Sequence, residues 1–387
     1  MRELRTWAPV ASATLASLLL AACGGGGSDT TPAASVTSVK VVGDSLADSG
    51  TFGFKFTVNG AASQIYPERI ATSYSLPALC NVYTATSATT FVRNPTKTGC
   101  TNYAIGGGRI NNYSAPTSPV SIVQQLKDAG AAGNYAAGDL LLIDGGGNDA
   151  ADLVGAFLNA AADGGAAYAG LLGTLLPPAT VGAAAAQGRA GLEAVGSTYM
   201  SALADNFYAA IKTNALDKGA QRLAVLNMPA VTNTPRFQLV LDSIAGASGG
   251  GAAGAAARLH SEDVFKGWIS AFNTELAAKF AGNGNVTVVD FYTSFNDEIA
   301  NPASYSLQNV KTPACPITGV GSDRLPTYTF PTCTDAALSA MTPPAGANGG
   351  ADWWKSYAFS DGFHPTPFGH DLLARYISRS LTAAGWL

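Results

Sequence analysis

Four short aliphatic runs, set far apart along the chain, constrain the fold more than any other feature. They are Ser38-Val39-Lys40-Val41-Val42, Asp139-Leu140-Leu141-Leu142-Ile143, Arg222-Leu223-Ala224-Val225-Leu226-Asn227 and Asn285-Val286-Thr287-Val288-Val289-Asp290. Each is largely apolar on both faces, as a strand must be when a parallel sheet is covered on both sides. Helical periodicity occupies the intervals, at residues 120–127, 191–216, 261–280 and 367–384. The last of these sets Leu372, Leu373, Tyr376, Ile377 and Leu381 on one side. Strands alternating with helices imply an α/β sandwich. Residues 150–188 and 243–257 interrupt the rhythm. They are rich in Ala and Gly with no fixed period, and they read as insertions or mobile flaps.

The N-terminus carries a different kind of signal. Arg2 and Arg5 precede an apolar run from Trp7 to Ala22, too short to span a bilayer with ease and laid out like a secretory signal. It ends in Leu20-Ala21-Ala22-Cys23, which resembles the lipobox of bacterial lipoproteins, whose cysteine is lipidated and begins the mature chain. A cleaved signal without lipid, or an uncleaved anchor, is the competing reading. Gly24 to Gly27 and the polar residues after them read as a flexible tether. The expected organisation is a signal peptide over 1–22, a lipidated tether over 23–35 and one domain over 36–387. Gly24, not Asp, follows Cys23, so the expected place is the outer membrane, on its periplasmic or cell-surface face, with the lipid on Cys23 as the membrane contact and extracellular release as the alternative. A formal net charge of −4 leaves no broad basic field, which argues against nucleic acid as a partner. The remaining cysteines, Cys80, Cys100, Cys315 and Cys333, are even in number, and an exported chain would form two disulfides from them. Nearest-neighbour pairing would pin two loops. No close cysteine pair with a nearby histidine supports a metal site, and neither metal nor cofactor is expected.

The first run empties into Gly43-Asp44-Ser45-Leu46, and a serine at the carboxyl end of a parallel strand sits where such sheets bind ligands. Its hydroxyl is a weak nucleophile until a base takes its proton. Only His260, His364 and His370 are available, and His364 closes Asp361-Gly362-Phe363-His364. An aspartate three residues before a histidine on a compact turn can hold its Nδ1–H. Acyl transfer also needs donors for an oxyanion. Asn102-Tyr103-Ala104-Ile105-Gly106-Gly107-Gly108 and Gly146-Gly147-Asn148-Asp149 offer them, as backbone N–H groups of glycine and as the Asn148 amide.

GDSL at 43–46, NYAIGGG at 102–108, GGND at 146–149 and DGFH at 361–364 resemble, in order, the four blocks of the SGNH (GDSL) hydrolases. Their spacing spans nearly the whole mature chain. NMPAVTNTP at 227–235 and HPTPFGHDLLA at 364–374 agree. The resemblance implies a flavodoxin-like three-layer α/β/α sandwich with a parallel sheet. It implies Ser45 as nucleophile and, through its N–H, first oxyanion donor. Asn148 is a further donor, and His364 and Asp361 complete the triad. Among the triplet glycines the resemblance points to Gly107, five residues after Asn102, with Gly106 the alternative.

Plainer roles belong to neighbouring residues. Asp44, Asp48 and Asp149 read as braces of their loops, His370 as a packing or capping group, and His260 as a surface residue before an N-cap at Ser261. Gly246-Ala247-Ser248-Gly249-Gly250 matches a nucleophile-elbow pattern, but that motif requires a preceding strand and a following helix. The leading expectation is a carboxylester hydrolase acting on a small-molecule or lipid ester. An acyltransferase or phospholipase of the same fold, and a non-catalytic surface glycan-binding lipoprotein, are the alternatives. The apolar residues of 150–188 admit two readings, a core helix pair or the wall of an acyl-chain site.

Overall fold

The computed structural model describes residues 35–387; the signal, Cys23 and most of the tether lie outside the described residues. In chain order the elements are strand β1 (Ser38–Val42), helix α1 (Tyr66–Ser73), the hairpin β2 (Tyr83–Ala85) and β3 (Phe91–Arg93), helix α2 (Ile122–Ala131) and strand β4 (Asp139–Ile143). Helices α3 (Gly147–Asp163), α4 (Ala166–Leu172), α5 (Pro178–Ala186) and α6 (Gly188–Asn214) follow. Strand β5 (Leu223–Leu226), helices α7 (Pro235–Ala247) and α8 (Gly251–Phe280), strand β6 (Val286–Val289) and helix α9 (Phe291–Ala300) come next. A small hairpin of β7 (Gly319–Val320) and β8 (Pro326–Thr327) and helices α10 (Asp335–Ala340) and α11 (Pro367–Ala383) complete the order.

The four aliphatic runs form one parallel sheet in the order β1-β4-β5-β6. Val41 pairs with Leu142, and Leu223 with both Leu141 and Val286. Beyond β1, a parallel bridge of Val41 to Asn102 adds a minimal further rung, with Tyr103 N–H donating to Val41 O at 2.8 Å. Because strand side chains alternate, each run feeds two cores. Val42, Leu141, Ile143, Leu223 and Val225 pack beneath α2, α3, α6 and α8. Val39, Val41, Leu140, Leu142 and Leu226 pack against α1, α9 and α11. This is a three-layer α/β/α sandwich.

Local chemistry fixes the helix ends nearest the sheet edge. Thr366 caps α11 by accepting from Gly369 N–H with Pro367 in the first turn, and Thr234 caps α7 in the same way ahead of Pro235. Residues 150–188 correct the expectation of a flap. They form the body of α3, then α4 and α5, and bury Leu153, Phe157, Tyr168, Leu171 and Leu172 in the larger core. Residues 243–257 are likewise the end of α7 and the start of α8. Alanine is the strongest helix former, so an Ala-rich stretch with leucines at helical spacing folds once a core receives it. Ser261 is accordingly not a cap but a buried residue within α8. The cysteines pair as Cys80–Cys100 and Cys315–Cys333, closing two loops that carry the short hairpins and, in the second, a single 3-10 turn at Phe330–Thr332.

Candidate active site

Parallel strands deliver their carboxyl ends to one edge of the sheet, and the segments leaving β1 and β4 meet there. After Val42, Gly43 N–H donates to Gln125 Oε1 at 2.9 Å, and Asp44 N–H donates to Asp144 Oδ1 at 2.9 Å. Leu46 N–H donates to Asp44 Oδ1 at 3.0 Å, closing the tight turn that carries Ser45. The second Asp144 oxygen accepts from the Tyr66 hydroxyl at 2.8 Å. Burial pushes both carboxyls up, and Asp144 further because the Asp44 charge adds to it. These braces are partly non-local; Asp44 was read as one from sequence, whereas Asp144, Tyr66 and Gln125 were not.

From the far end of the chain, the turn before α11 brings His364 Nε2 to 2.7 Å from Ser45 Oγ. His364 Nδ1 faces the Asp361 carboxylate at 3.0 and 2.9 Å. Asp361 Oδ1 also accepts the N–H groups of Phe363 and His364, at 2.8 and 2.6 Å. Burial pushes the Asp361 carboxyl up, but the His364 charge and these hydrogen bonds outweigh it and hold it below the usual carboxylate value. A proton on Nδ1, held by that carboxylate, leaves the Nε2 lone pair on the serine hydroxyl. The turn itself is tied down: Ser360 N–H donates to His364 O, and Arg236 N–H at the start of α7 donates to Gly362 O.

The two glycine-bearing loops border the same serine. Asn148 lies in the first turn of α3, and its Nδ2 donates to Gly108 O at 3.0 Å, which engages one of two amide hydrogens. Gly107 sits at φ +79°, a conformation that disfavours side chains. The Gly106 N–H is taken by Asp48 Oδ2 at 2.9 Å, whereas the N–H groups of Gly107 and Ser45 have no acceptor among the described residues. Asp48 also accepts from Gly50 and Thr51, and Asp149 from Ile110 and Asn111, both as loop braces. The other histidines stand apart from this arrangement. His260 is exposed and meets Glu193 at 3.0 Å. His370 is fully buried with neither ring nitrogen hydrogen-bonded among the described residues. Ser248 lies between α7 and α8 with no strand before it, so the elbow pattern there is a helix–turn–helix.

Residues 39–377 match the model of the GDSL-like lipase/acylhydrolase family. The chain belongs to that family. No curated protein matches it. Membership makes the protein a hydrolase, and the three-layer sandwich is the fold of the family. The family's four sequence blocks surround one point at the sheet edge.

Two spaces adjoin that point. A narrow apolar hollow of about 40 Å³ lies under Ser45, walled by Leu226, Phe291, Phe359 and Phe363. It holds a few waters at most. A cleft of about 1030 Å³ opens at His364 and Asn148 between α3, α7 and residues 323–328. Its apolar lining includes Val154 and Leu158 on α3 and Phe237, Val240 and Ile244 on α7. Its guanidinium groups at Arg109 and Arg236 are paired with Asp152 and Asp323. α3 therefore has two faces: Leu153 and Phe157 enter the core while Leu158 faces the cleft. Phe363 of the DGFH block packs on the His364 ring, and so do Phe56 and Phe330, which local motifs do not mark, although Phe52-x-Phe54-x-Phe56 is a visible trace of the first.

Proposed function

We propose that the protein is a carboxylester hydrolase working through an acyl-enzyme on Ser45. The observation that carries this reading is the continuous hydrogen-bonded line from Ser45 Oγ through the His364 ring to Asp361. As the Ser45 oxygen attacks the ester carbonyl carbon, its proton passes to His364 Nε2, and Asp361 stabilises the imidazolium. The carbonyl oxygen becomes an oxyanion that accepts from the Ser45 and Gly107 N–H groups and the second Asn148 amide hydrogen. His364 then gives its proton to the alcohol oxygen, the C–O bond breaks, and the acyl group stays on Ser45. Water repeats the sequence: it loses a proton to His364, attacks the acyl carbon, and the proton returns to Ser45 as the acid leaves.

The acyl portion is assigned to the cleft, because the hollow beneath Ser45 is too small for a chain. From Asn148 to Leu158 the helix rises roughly 15 Å along it at 1.5 Å per residue. Acyl esters or lipids of medium chain are the proposed substrates. The proposal also includes an exported, outer-membrane lipoprotein anchored through Cys23, supported by the Leu-Ala-Ala-Cys sequence and two disulfides.

A fluorophosphonate probe tests the chemistry. It is expected to label Ser45 in the parent, and Ser45→Ala is expected to lose labelling and at least about a thousandfold of ester turnover with the fold intact. Turnover within about tenfold of the parent would falsify the nucleophile.

A further inference from the structure

Five phenylalanine rings form a connected cluster that ends on His364. Phe91 meets Phe52 with centroids 5.7 Å apart, and Phe52 meets Phe54 and Phe56 at 6.0 Å each. Phe54 and Phe56 both reach Phe330, at 6.1 and 5.3 Å. Phe56 and Phe330 lie 5.3 and 5.5 Å from the His364 ring. A Cβ on Gly106 would overlap the Phe56 ring, so the cluster also abuts the loop of Gly107.

Three features separate this cluster from ordinary core. Phe330 alone is buried; Phe52, Phe54, Phe56 and Phe91 all keep part of their surface in solvent beside the reacting base. Phe52 and Phe91 also touch the larger core, so the rings are anchored on one side while ring surface stays open to a stacking partner on the other. Next, the backbone carrying the rings is pinned: Lys55 Nζ donates to Ser63 O and Glu68 Oε2, and Lys55 N–H donates to Asn59 Oδ1. Finally, each disulfide loop contributes one ring, Phe91 from within Cys80–Cys100 and Phe330 from within Cys315–Cys333. Two covalent staples converge on one aromatic surface.

None of the five rings lines the cleft between α3 and α7, so His364 has the cleft on one flank and the rings on another. An ester straddles its nucleophile, and its alcohol oxygen must reach His364 Nε2 to collect the proton. With the acyl chain in the cleft, the alcohol portion lies against the rings. We infer that the Phe52–Phe54–Phe56–Phe91–Phe330 cluster is the alcohol subsite and selects esters of flat, ring-bearing alcohols. This rests on the ester-hydrolase reading above.

An isomeric pair of substrates, naphthylmethyl acetate and methyl naphthylacetate, places one ring system on either side of the ester. Comparing each variant with the parent cancels the intrinsic reactivity of the two esters. Phe52→Leu with Phe54→Leu keeps apolar bulk but removes ring faces. The double variant is expected to lose about tenfold more kcat/KM on naphthylmethyl acetate than on methyl naphthylacetate, roughly threefold per stacked ring. Equal losses on both, or a greater loss on methyl naphthylacetate, overturn the assignment. Calorimetric binding of naphthylmethanol to Ser45→Ala protein is a readout that needs no turnover. Affinity should fall about tenfold when the two leucines are added, and an unchanged affinity overturns the subsite. If the parent neither hydrolyses either ester nor takes the phosphonate, the hydrolase reading fails, while the naphthylmethanol measurement still decides whether the rings bind.

Discussion

Residues 150–188 and the loop closed by Cys315–Cys333 look equally irregular in sequence, yet they are held by opposite means. The first is packed. Tyr168, Leu171 and Leu172 are buried against α8 and its neighbours, with the Tyr168 ring stacked on Trp268 at 6.3 Å. The second has two-residue strands and a small satellite core of Val58, Leu338, Trp353, Trp354 and Tyr357 around its disulfide. Its functional tie is direct: Cys315 N–H donates to Ser360 O, one residue before Asp361. Burial of apolar area stabilises a segment that has helical periodicity; a staple is needed where Pro, Gly and Thr leave none.

The sharpest way to break this comparison is to remove each support. Leu172→Ala, at a fully buried site, should cost about 3 to 5 kcal/mol and lower Tm while leaving kcat/KM of the surviving fold near the parent's. Replacing Cys315 and Cys333 by Ser should cost about 3 kcal/mol for a loop of this length, and should also lower kcat/KM, because Phe330 and the turn before His364 lose their support. Denaturant unfolding beside kinetics measures both. A cost for Leu172→Ala below about 0.5 kcal/mol would return residues 150–188 to the status of a loose flap.

The residues that meet at the candidate site lie in short motifs, and that explains what was missed. Ser45, Asp361 with His364, Asn148 and the Gly106–Gly108 triplet each stand in a short run of neighbouring residues, so a local motif marks the position even where distant residues brace it. Asp144 bracing Asp44, and Phe56 and Phe330 on His364, depend on contacts between residues from about thirty to about three hundred positions apart, and no local pattern encodes them. The sheet was legible because all four runs are doubly apolar. The helices of 150–188 were half legible: Leu153, Val154 and Phe157 carry helical spacing and allow a core helix pair, but the Gly among the Ala residues allows a flap as well.

A smaller effect separates the two sides of the molecule by pH. His370 on α11 is held neutral: burial, then the charges of His364, Arg69 and Lys55, push it down to about 3 from an ordinary 6.5. The unfolded chain therefore binds a proton that the folded one refuses. This contribution to stability is complete above pH 6.5 and is lost as pH falls towards 3. Each pH unit in that window costs about 1.4 kcal/mol, so about 2 kcal/mol is gone at pH 5. His370→Leu should remove that slope, gaining about 2 kcal/mol over the parent on going from pH 8 to pH 5 in urea unfolding. A difference between the two proteins that does not change with pH would mean that His370 titrates normally.

The smallest expected effect bears on what the packed helices are for, beyond stability. A full transfer from water gains about 0.8 kcal/mol per methylene. The cleft is open, and Leu158 on its wall stays 38% exposed, so each methylene of an acyl chain is only partly withdrawn from water. About half the full value, near 0.4 kcal/mol, is the reasonable share, equivalent to roughly a doubling of kcat/KM per methylene. p-Nitrophenyl esters from acetate to octanoate should therefore rise in kcat/KM, since the leaving group is constant and only the acyl portion changes. Leu158→Asn with Ile244→Asn should flatten that rise without lowering the acetate value, because acetate does not reach either side chain. A profile falling steadily with chain length would leave the cleft without an acyl role and the enzyme an acetylesterase; a rise untouched by the double variant would move the chain to another wall.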